Sequence, residues 1–275
     1  MPNSKPILAL MFFLLCFQTP SFAATYETSQ GEVLRIHVPD DIAKEDVQVS
    51  CFGKPWPIYQ YEQNKIAWIA VDLKTKPKTY TITWKNKKQT IKDEVLVKKG
   101  NFRISHITVE KKMASFDKES LKRIRADQQA IKASYQTKVA LQPHWPEMIL
   151  PVEGIISTPF AAQRYVNDEP RSQHSGLDIA AATGTPVVAP LAGTVLLVSK
   201  MYLNGNLVAI GHGDGLTTIY AHLHTAMVKV GDHVAQGQVF AEVGSTGRST
   251  GPHLHWGVHF SGAKINPETM LQPKL

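Results

Sequence analysis

From Met148 onward the chain offers only short apolar runs broken by glycine-bearing turns, a segmentation that excludes any architecture built on long helices. Pro186–Ala189, Gly193–Val198, Leu207–Ile210, Leu216–Tyr220 and Gln238–Val243 each have strand length, and none continues at the helical period. The pattern predicts an all-β domain over residues 148–275.

The N-terminal half reads similarly from Thr25 to about Val109. Gly31–Val38, Asp46–Cys51, Ile66–Asp72, Thr79–Trp84 and Phe102–Val109 are rich in Val, Ile, Thr and aromatics, and Pro, Asn, Gly or Lys clusters separate them. In Thr79–Trp84 the side chains of Tyr80, Ile82 and Trp84 share one face. A small β-sandwich-like domain is expected over 24–110. The lysine-rich stretch from Lys74 to Lys99 reads as a solvated face with edge-strand protection, or as a contact for an anionic polymer.

Between the two β regions, Asp117 to about Thr137 carries a helical signature. Asp117 is a fitting N-cap, and Leu121, Ile124, Ile131 and Tyr135 form a narrow apolar stripe suited to lying against another surface. Pro143, Pro146 and Pro151 then break the chain, so 111–147 is expected to be a helical connector and linker. The predicted fold class is mainly β, with one helix joining two β units.

Residues 1–23 read as an export signal. Lys5 supplies positive charge, Ile7–Phe17 an apolar stretch too short to span a bilayer, and Ser21-Phe22-Ala23 a small-x-small cleavage pattern. Cleavage after Ala23 leaves Cys51 as the one cysteine, which excludes an internal disulfide and also a structural zinc site closed by thiolates. No other segment is apolar enough to be read as a membrane span, and a monomeric exported protein is expected. The formal net charge of +7 favours an anionic partner.

Histidine distribution carries the chemistry. Of 11 histidines, eight fall between His174 and His259. His174-Ser-Gly-Leu-Asp178 is an H-x-x-x-D pair and His253-Leu-His255 an H-x-H pair. On a strand, residues two apart face the same way, so His253 and His255 can address one groove. Two imidazoles and a carboxylate make three protein ligands, the number a catalytic zinc uses when water holds the fourth position. His259 shares the parity of His253 and His255, so by spacing any two of the three can be ligands. His222 is a further candidate for the groove, because imidazole can both accept and donate a proton near neutral pH. His212, His224, His233 and His259 are expected in loops or on the surface.

The segment from Phe160 to Pro267 resembles the lysostaphin-type, or LytM-type, zinc metallopeptidases that act on peptidoglycan. The resemblance runs through His174–Ala181, Gly184–Pro190, Ala192–Val195, Tyr220-Ala-His-Leu223, Val230–Asp232, Gly237-Gln238 and Gly244–His255, in that order. It implies an antiparallel β-sheet with a groove over the metal. By the resemblance, His174, Asp178 and His255 hold one zinc ion per chain, and His222 and His253 are the metal-free catalytic histidines. The N-terminal part is similar to the β-domain preceding the peptidase in some exported Gram-negative members.

Asn204, Arg248, Ser249 and Thr250 are candidates to line the groove, and Gly244, Gly247 and Gly251 to form the turns that deliver the His253–His255 strand. The implied function is a zinc endopeptidase cutting peptide cross-links between peptidoglycan stems, with an anionic wall or envelope polymer as a further partner and no role for nucleic acid. It would work in the periplasm or envelope of a Gram-negative bacterium, or after secretion. The alternative is a non-catalytic relative that binds wall material or activates a cell-wall amidase; such members typically lack the metal ligands that this chain keeps.

Overall fold

The computed structural model describes residues 24–44, 46–107, 116–140 and 147–271. The signal-like segment, Pro143, Pro146 and His144 lie outside them. Strands dominate, as the segmentation predicts.

The N-terminal strands are β1 (Thr25–Ser29), β2 (Val33–His37), β3 (Gln48–Cys51), β4 (Lys54–Trp56), β5 (Ile58–Tyr61), β6 (Asn64–Ala70), β7 (Lys78–Lys85), β8 (Thr90–Lys98) and β9 (Ile104–Ile107). They form a five-stranded sheet in the order β1-β8-β7-β3-β4 and a three-stranded sheet in the order β2-β6-β5, while β9 joins strands further along the chain. A short helix, α1 (Asp40–Ala43), follows β2. Alternation sends Ile82, Trp84, Val95 and Val97 inward, where they are fully buried. Each such side chain stabilises the fold by roughly 1.5–3 kcal/mol. Asp93 is buried on the same face, accepting from Trp84 Nε1 at 2.7 Å and from the Ala24 amide at 2.9 Å.

The lysine-rich stretch is therefore not edge protection. It is the β7–β8 hairpin in the sheet interior, with Lys78, Lys85 and Lys98 on exposed positions. Cys51 is buried, and burial raises its thiol to about 12, as expected of an unreactive filler.

Helix α2 (Lys118–Gln136) begins at Asp117, whose carboxylate accepts from the Ser120 amide at 2.7 Å. Ile124 is buried and Ala130, Ile131 and Tyr135 pack on a sheet, whereas Leu121 is turned outward.

The C-terminal strands are β10 (Ile155–Thr158), β11 (Gln163–Val166), β12 (Glu169–Pro170), β13 (Leu177–Ala180), β14 (Pro186–Val188), β15 (Gly193–Met201), β16 (Gly205–Gly213), β17 (Leu216–Leu223), β18 (Thr225–Ala226), β19 (His233–Val234), β20 (Val239–Glu242), β21 (His253–Phe260) and β22 (Ala263–Ile265). The main sheet runs β10-β13-β21-β17-β16-β15-β19, with β22 added on β21, and its internal pairings are antiparallel. A 3₁₀ turn, Pro267–Met270, follows β22. β12, β11 and β9 make a separate three-stranded sheet, in which β9 and β11 are parallel.

One face of the main sheet carries Leu177, Tyr220, Leu254, Trp256 and Phe260 into the principal core, against Phe240. The opposite face carries Leu207, Ala209, Ile219 and Ala221, covered by α2, and further along the sheet Asp178, His253 and His255. The N-terminal strands reach the same core: Trp56 meets Phe260 edge-on, and Arg35 stacks on Trp68 while donating to the Thr269 carbonyl.

His212 is not the surface residue its sequence context suggests. It is fully buried, its Nδ1–H donating to the Ala192 carbonyl at 2.8 Å, while the Thr218 hydroxyl donates to Nε2 at 2.7 Å and itself accepts from Tyr220. Burial lowers the imidazole to about 4. Between pH 4 and the unfolded value of about 6.5, the unfolded chain binds the extra proton, so stability present above pH 6.5 is lost as pH falls. The melting midpoint should therefore drop on acidification from pH 7 to 5. A His212→Asn variant should melt lower at pH 7 but show a flatter pH dependence, measurable by calorimetry; an unchanged slope would contradict this account.

Candidate metal centre

Cross-strand register builds the site. Asp178 on β13 lies directly opposite His255 on β21, and Ala180 opposite His253, so the even residues of β13 and the odd residues of β21 share one face. His174 enters from the loop before β13. Its amide donates to the Ala162 carbonyl at 3.0 Å, and its own carbonyl accepts from the Ala161 amide at 2.8 Å, fixing the loop against the preceding turn.

Three atoms then converge. His174 Nε2 is 2.9 Å from Asp178 Oδ1 and 3.0 Å from His255 Nδ1, and the last two are 2.8 Å apart. A coordination tetrahedron with bonds of 2.0–2.1 Å has edges of about 3.3 Å, so these atoms need only small shifts to bind one ion. His174 Nδ1–H donates to the Pro159 carbonyl at 3.0 Å, which leaves the Nε2 lone pair for a metal. Gly176 makes room for the third ligand, because a Cβ there would fall 2.7 Å from His255 Cε1 and 2.8 Å from Nε2. Burial alone would raise the Asp178 carboxyl, but hydrogen bonds and charge from His174 and His255 hold it well below the usual carboxylate range. A permanently ionised carboxylate beside two imidazoles is a donor set suited to zinc.

Two further imidazoles flank the cluster. The rings of His222 and His253 are 4.7 Å apart, and His253 Nε2 is 4.0 Å from Asp178 Oδ1. His253 Nδ1–H donates to the Gly251 carbonyl at 2.8 Å, and His222 Nδ1–H to the Thr246 carbonyl at 2.8 Å. In both rings Nδ1 is thus engaged by the backbone, and Nε2 is the nitrogen left for proton transfer. Burial lowers His222 to about 4, against the Thr246 hydrogen bond that raises it, so the ring is neutral at pH 7.

His222 reaches this position through a β-bulge. Leu223 pairs with Asn206 but Tyr220 with Val208, leaving one extra residue on β17, and His222 itself has φ of 63°. A left-handed conformation at a non-glycine residue costs about 1–3 kcal/mol and is retained where the surroundings enforce it. Here the His222 amide donates to the Asn204 carbonyl, and Thr246 ties the bulge through its own carbonyl and through its hydroxyl to the Leu223 carbonyl. Thr246 approaches because Gly205 and Gly247 touch backbone to backbone: a Cβ on Gly247 would lie 2.3 Å from the Gly205 amide nitrogen.

The remaining candidates sort as follows. Asn204 contributes its carbonyl to the His222 amide, and Ser249 Oγ sits 3.2 Å from His253 Nδ1. Arg248 lies over the Phe116 ring at 5.8 Å, and Thr250 is exposed. Of the three turn glycines, Gly247 has a positive φ; Gly244 instead permits a close approach to His224, and nothing crowds Gly251. His224 and His233 are exposed, as expected. His259 is neither in a loop nor a member of the cluster: it lies on β21 beneath the Tyr135 ring, stacked at 3.8 Å and 4°. The carbonyls of Pro159, Thr246 and Gly251, which orient three of the imidazoles, carry no side-chain signal in the sequence. Gly176 lay in plain view between His174 and Asp178.

Residues 172–267 match the model of peptidase family M23. The chain is 40% identical over 118 residues to DD-carboxypeptidase/endopeptidase Mpg of Neisseria meningitidis, which covers 43% of this chain and 27% of the relative. It is 43% identical over 101 residues to peptidoglycan DD-endopeptidase ShyC of Vibrio cholerae, which covers 37% of this chain and 23% of that protein. The matched region thus spans about a quarter of these curated relatives. A crystal structure described as a peptidase M23 from Pseudomonas aeruginosa superposes with a TM-score of 0.70 at 29% identity, covering 88% of this chain and 94% of that one.

Proposed function

We propose, from the match of residues 172–267 to peptidase family M23, that the protein is an exported zinc endopeptidase that hydrolyses peptide cross-links of bacterial peptidoglycan. The observation that carries the reading is the convergence of His174 Nε2, Asp178 Oδ1 and His255 Nδ1 beside two imidazoles whose Nδ1 atoms are held by backbone carbonyls. The relatives named for peptidoglycan cleavage support the substrate class and an envelope location. A domain that only binds wall material has no need of the two flanking bases.

His174, Asp178 and His255 would hold one zinc ion, which when bound acidifies a water molecule and polarises the substrate carbonyl. The chain's own residues supply the rest. Nε2 of His222 or His253 takes the proton of the attacking water as the new carbon–oxygen bond forms. An imidazolium returns that proton to the amine nitrogen as the carbon–nitrogen bond breaks, so protons balance over one turnover. The Thr246 and Gly251 carbonyls hold both rings in the tautomer this requires, and they stabilise the charged form by accepting from Nδ1–H.

Incubation of the protein, without residues 1–23, with purified sacculi should release soluble fragments and deplete cross-linked dimers by mass spectrometry. A chelator should stop release and added zinc restore it. Intact cross-links with stoichiometric zinc bound would refute the proposed substrate.

A further inference from the structure

Asp93 is a carboxylate in the core of the N-terminal sheet without a cation to match it. It is 1% exposed and lies on the inward face of β8, opposite Ile82 of β7. Both of its oxygens accept: Oδ2 takes the Trp84 indole N–H at 2.7 Å and Oδ1 the Ala24 N–H at 2.9 Å. Among the described residues, no lysine, arginine or histidine lies within ion-pair distance of it. A buried charge met only by neutral donors keeps much of its desolvation cost, which a partner of opposite sign offsets.

The group placed to be that partner is the Ala24 nitrogen. Residues 1–23 read as an export signal cleaved after Ala23, which makes Ala24 the first residue of the processed chain. Before cleavage its nitrogen is a peptide amide with one hydrogen. Hydrolysis by a leader peptidase adds hydroxyl from water to the Ala23 carbonyl carbon and hydrogen to the Ala24 nitrogen. That amine then binds a solvent proton at neutral pH, since an α-amino group titrates at about 7.7–8.0. A charge-assisted bond of this kind is roughly twice as strong as the neutral one it replaces. Ala24 is also held from its other end: the Glu94 amide donates to its carbonyl at 2.9 Å, and Thr25 pairs with Glu94 in the parallel β1–β8 register. Cleavage one residue earlier or later would move the ammonium by about 3.8 Å of chain, out of reach of Asp93.

We propose that Asp93 is the binding site for the α-ammonium of Ala24 that leader removal creates, an ion pair that locks β1 onto its sheet only in the processed protein. The inference rests on the export reading and is independent of the metal centre. β1 leads to Gly31, whose carbonyl accepts from the Asn266 amide at 2.7 Å and where a Cβ would fall 2.4 Å from Phe160. The lock thus steadies the strand leading to the point where the N-terminal sheet meets the peptidase domain.

The test compares two proteins freed from a tag without added residues, one beginning at Ala24 and one retaining Ser21-Phe22-Ala23 ahead of it. In the second the Ala24 nitrogen is again an amide. The Ala24 protein should melt at least about 3 °C higher at neutral pH, and Asp93→Asn should shrink that gap to below about 1 °C. Labelling of the α-amine with an amine-selective aldehyde needs no variant and decides the matter if Asp93→Asn does not fold. In the folded Ala24 protein it should run at least about tenfold slower than in urea, and in the extended protein equally fast in both. Equal melting of the two proteins, a gap that persists in Asp93→Asn, or an α-amine as reactive folded as unfolded would overturn the pair. Mass spectrometry of protein recovered from a Gram-negative periplasm should find Ala24 first. A different first residue would refute the processing site and the pair together, whereas Ala24 first with equal melting removes the pair alone and leaves the export reading standing. Zinc binding and sacculus cleavage are untouched by either result.

Discussion

His255→Ala is expected to retain less than about a tenth of an equivalent of zinc and to cleave cross-links at least ~10⁴-fold more slowly than the parent chain. The substitution leaves His174 and Asp178, two ligands for an ion that needs three from the protein. The fold should survive, because Leu254 and Trp256, its neighbours on β21, point to the opposite face and are fully buried there. His259→Ala is the informative control. By strand parity it was an equal candidate for ligand, yet it lies under Tyr135, so metal content should stay at one equivalent. Zinc measured by mass spectrometry with a melting curve beside it decides both. Loss of metal from the His259 variant, or its retention in the His255 variant, would refute the assignment.

His222→Ala and His253→Ala should behave differently from His255→Ala: zinc stays bound, and kcat falls by roughly 10²- to 10⁴-fold, the usual worth of a positioned acid–base group. His222 adds a second readout, since its backbone is left-handed. Glycine accepts that conformation without penalty, so His222→Gly should be as inactive as His222→Ala but more stable by about 1 kcal/mol. If the two variants melt together, the bulge does not store strain. If His222→Ala keeps full activity, the ring has no part in proton transfer.

Much of this site was legible because strand parity is a strict rule. Once residues 253–260 are a strand, His253 and His255 must share a face, and the glycine-punctuated runs made that strand probable from composition alone. The helix was legible for a similar reason: Asp117 caps it and Ile124, Ile131 and Tyr135 keep the helical period. Pairing partners were not legible. Nothing local to Thr25–Ser29 announces a parallel partner 69 positions later, and β8 hides in a lysine-rich stretch because only three of its nine residues are buried and one of those is Asp93. Burial of His212 depends on Thr218 and Ala192, which only the β15–β16–β17 arrangement brings together. The bulge at His222 was equally hidden, since sequence does not reveal a positive φ at a histidine.

The face that carries the metal cluster is closed at one end by α2. Along β21, His255, Gly257 and His259 follow one another on that face, and the Tyr135 ring lies flat on the last of them. Four residues of extended strand measure about 13 Å. The helix already covers Ile219 and Ala221, which lie opposite Gly257 and His255, so α2 walls the metal face on the side of the neighbouring strand.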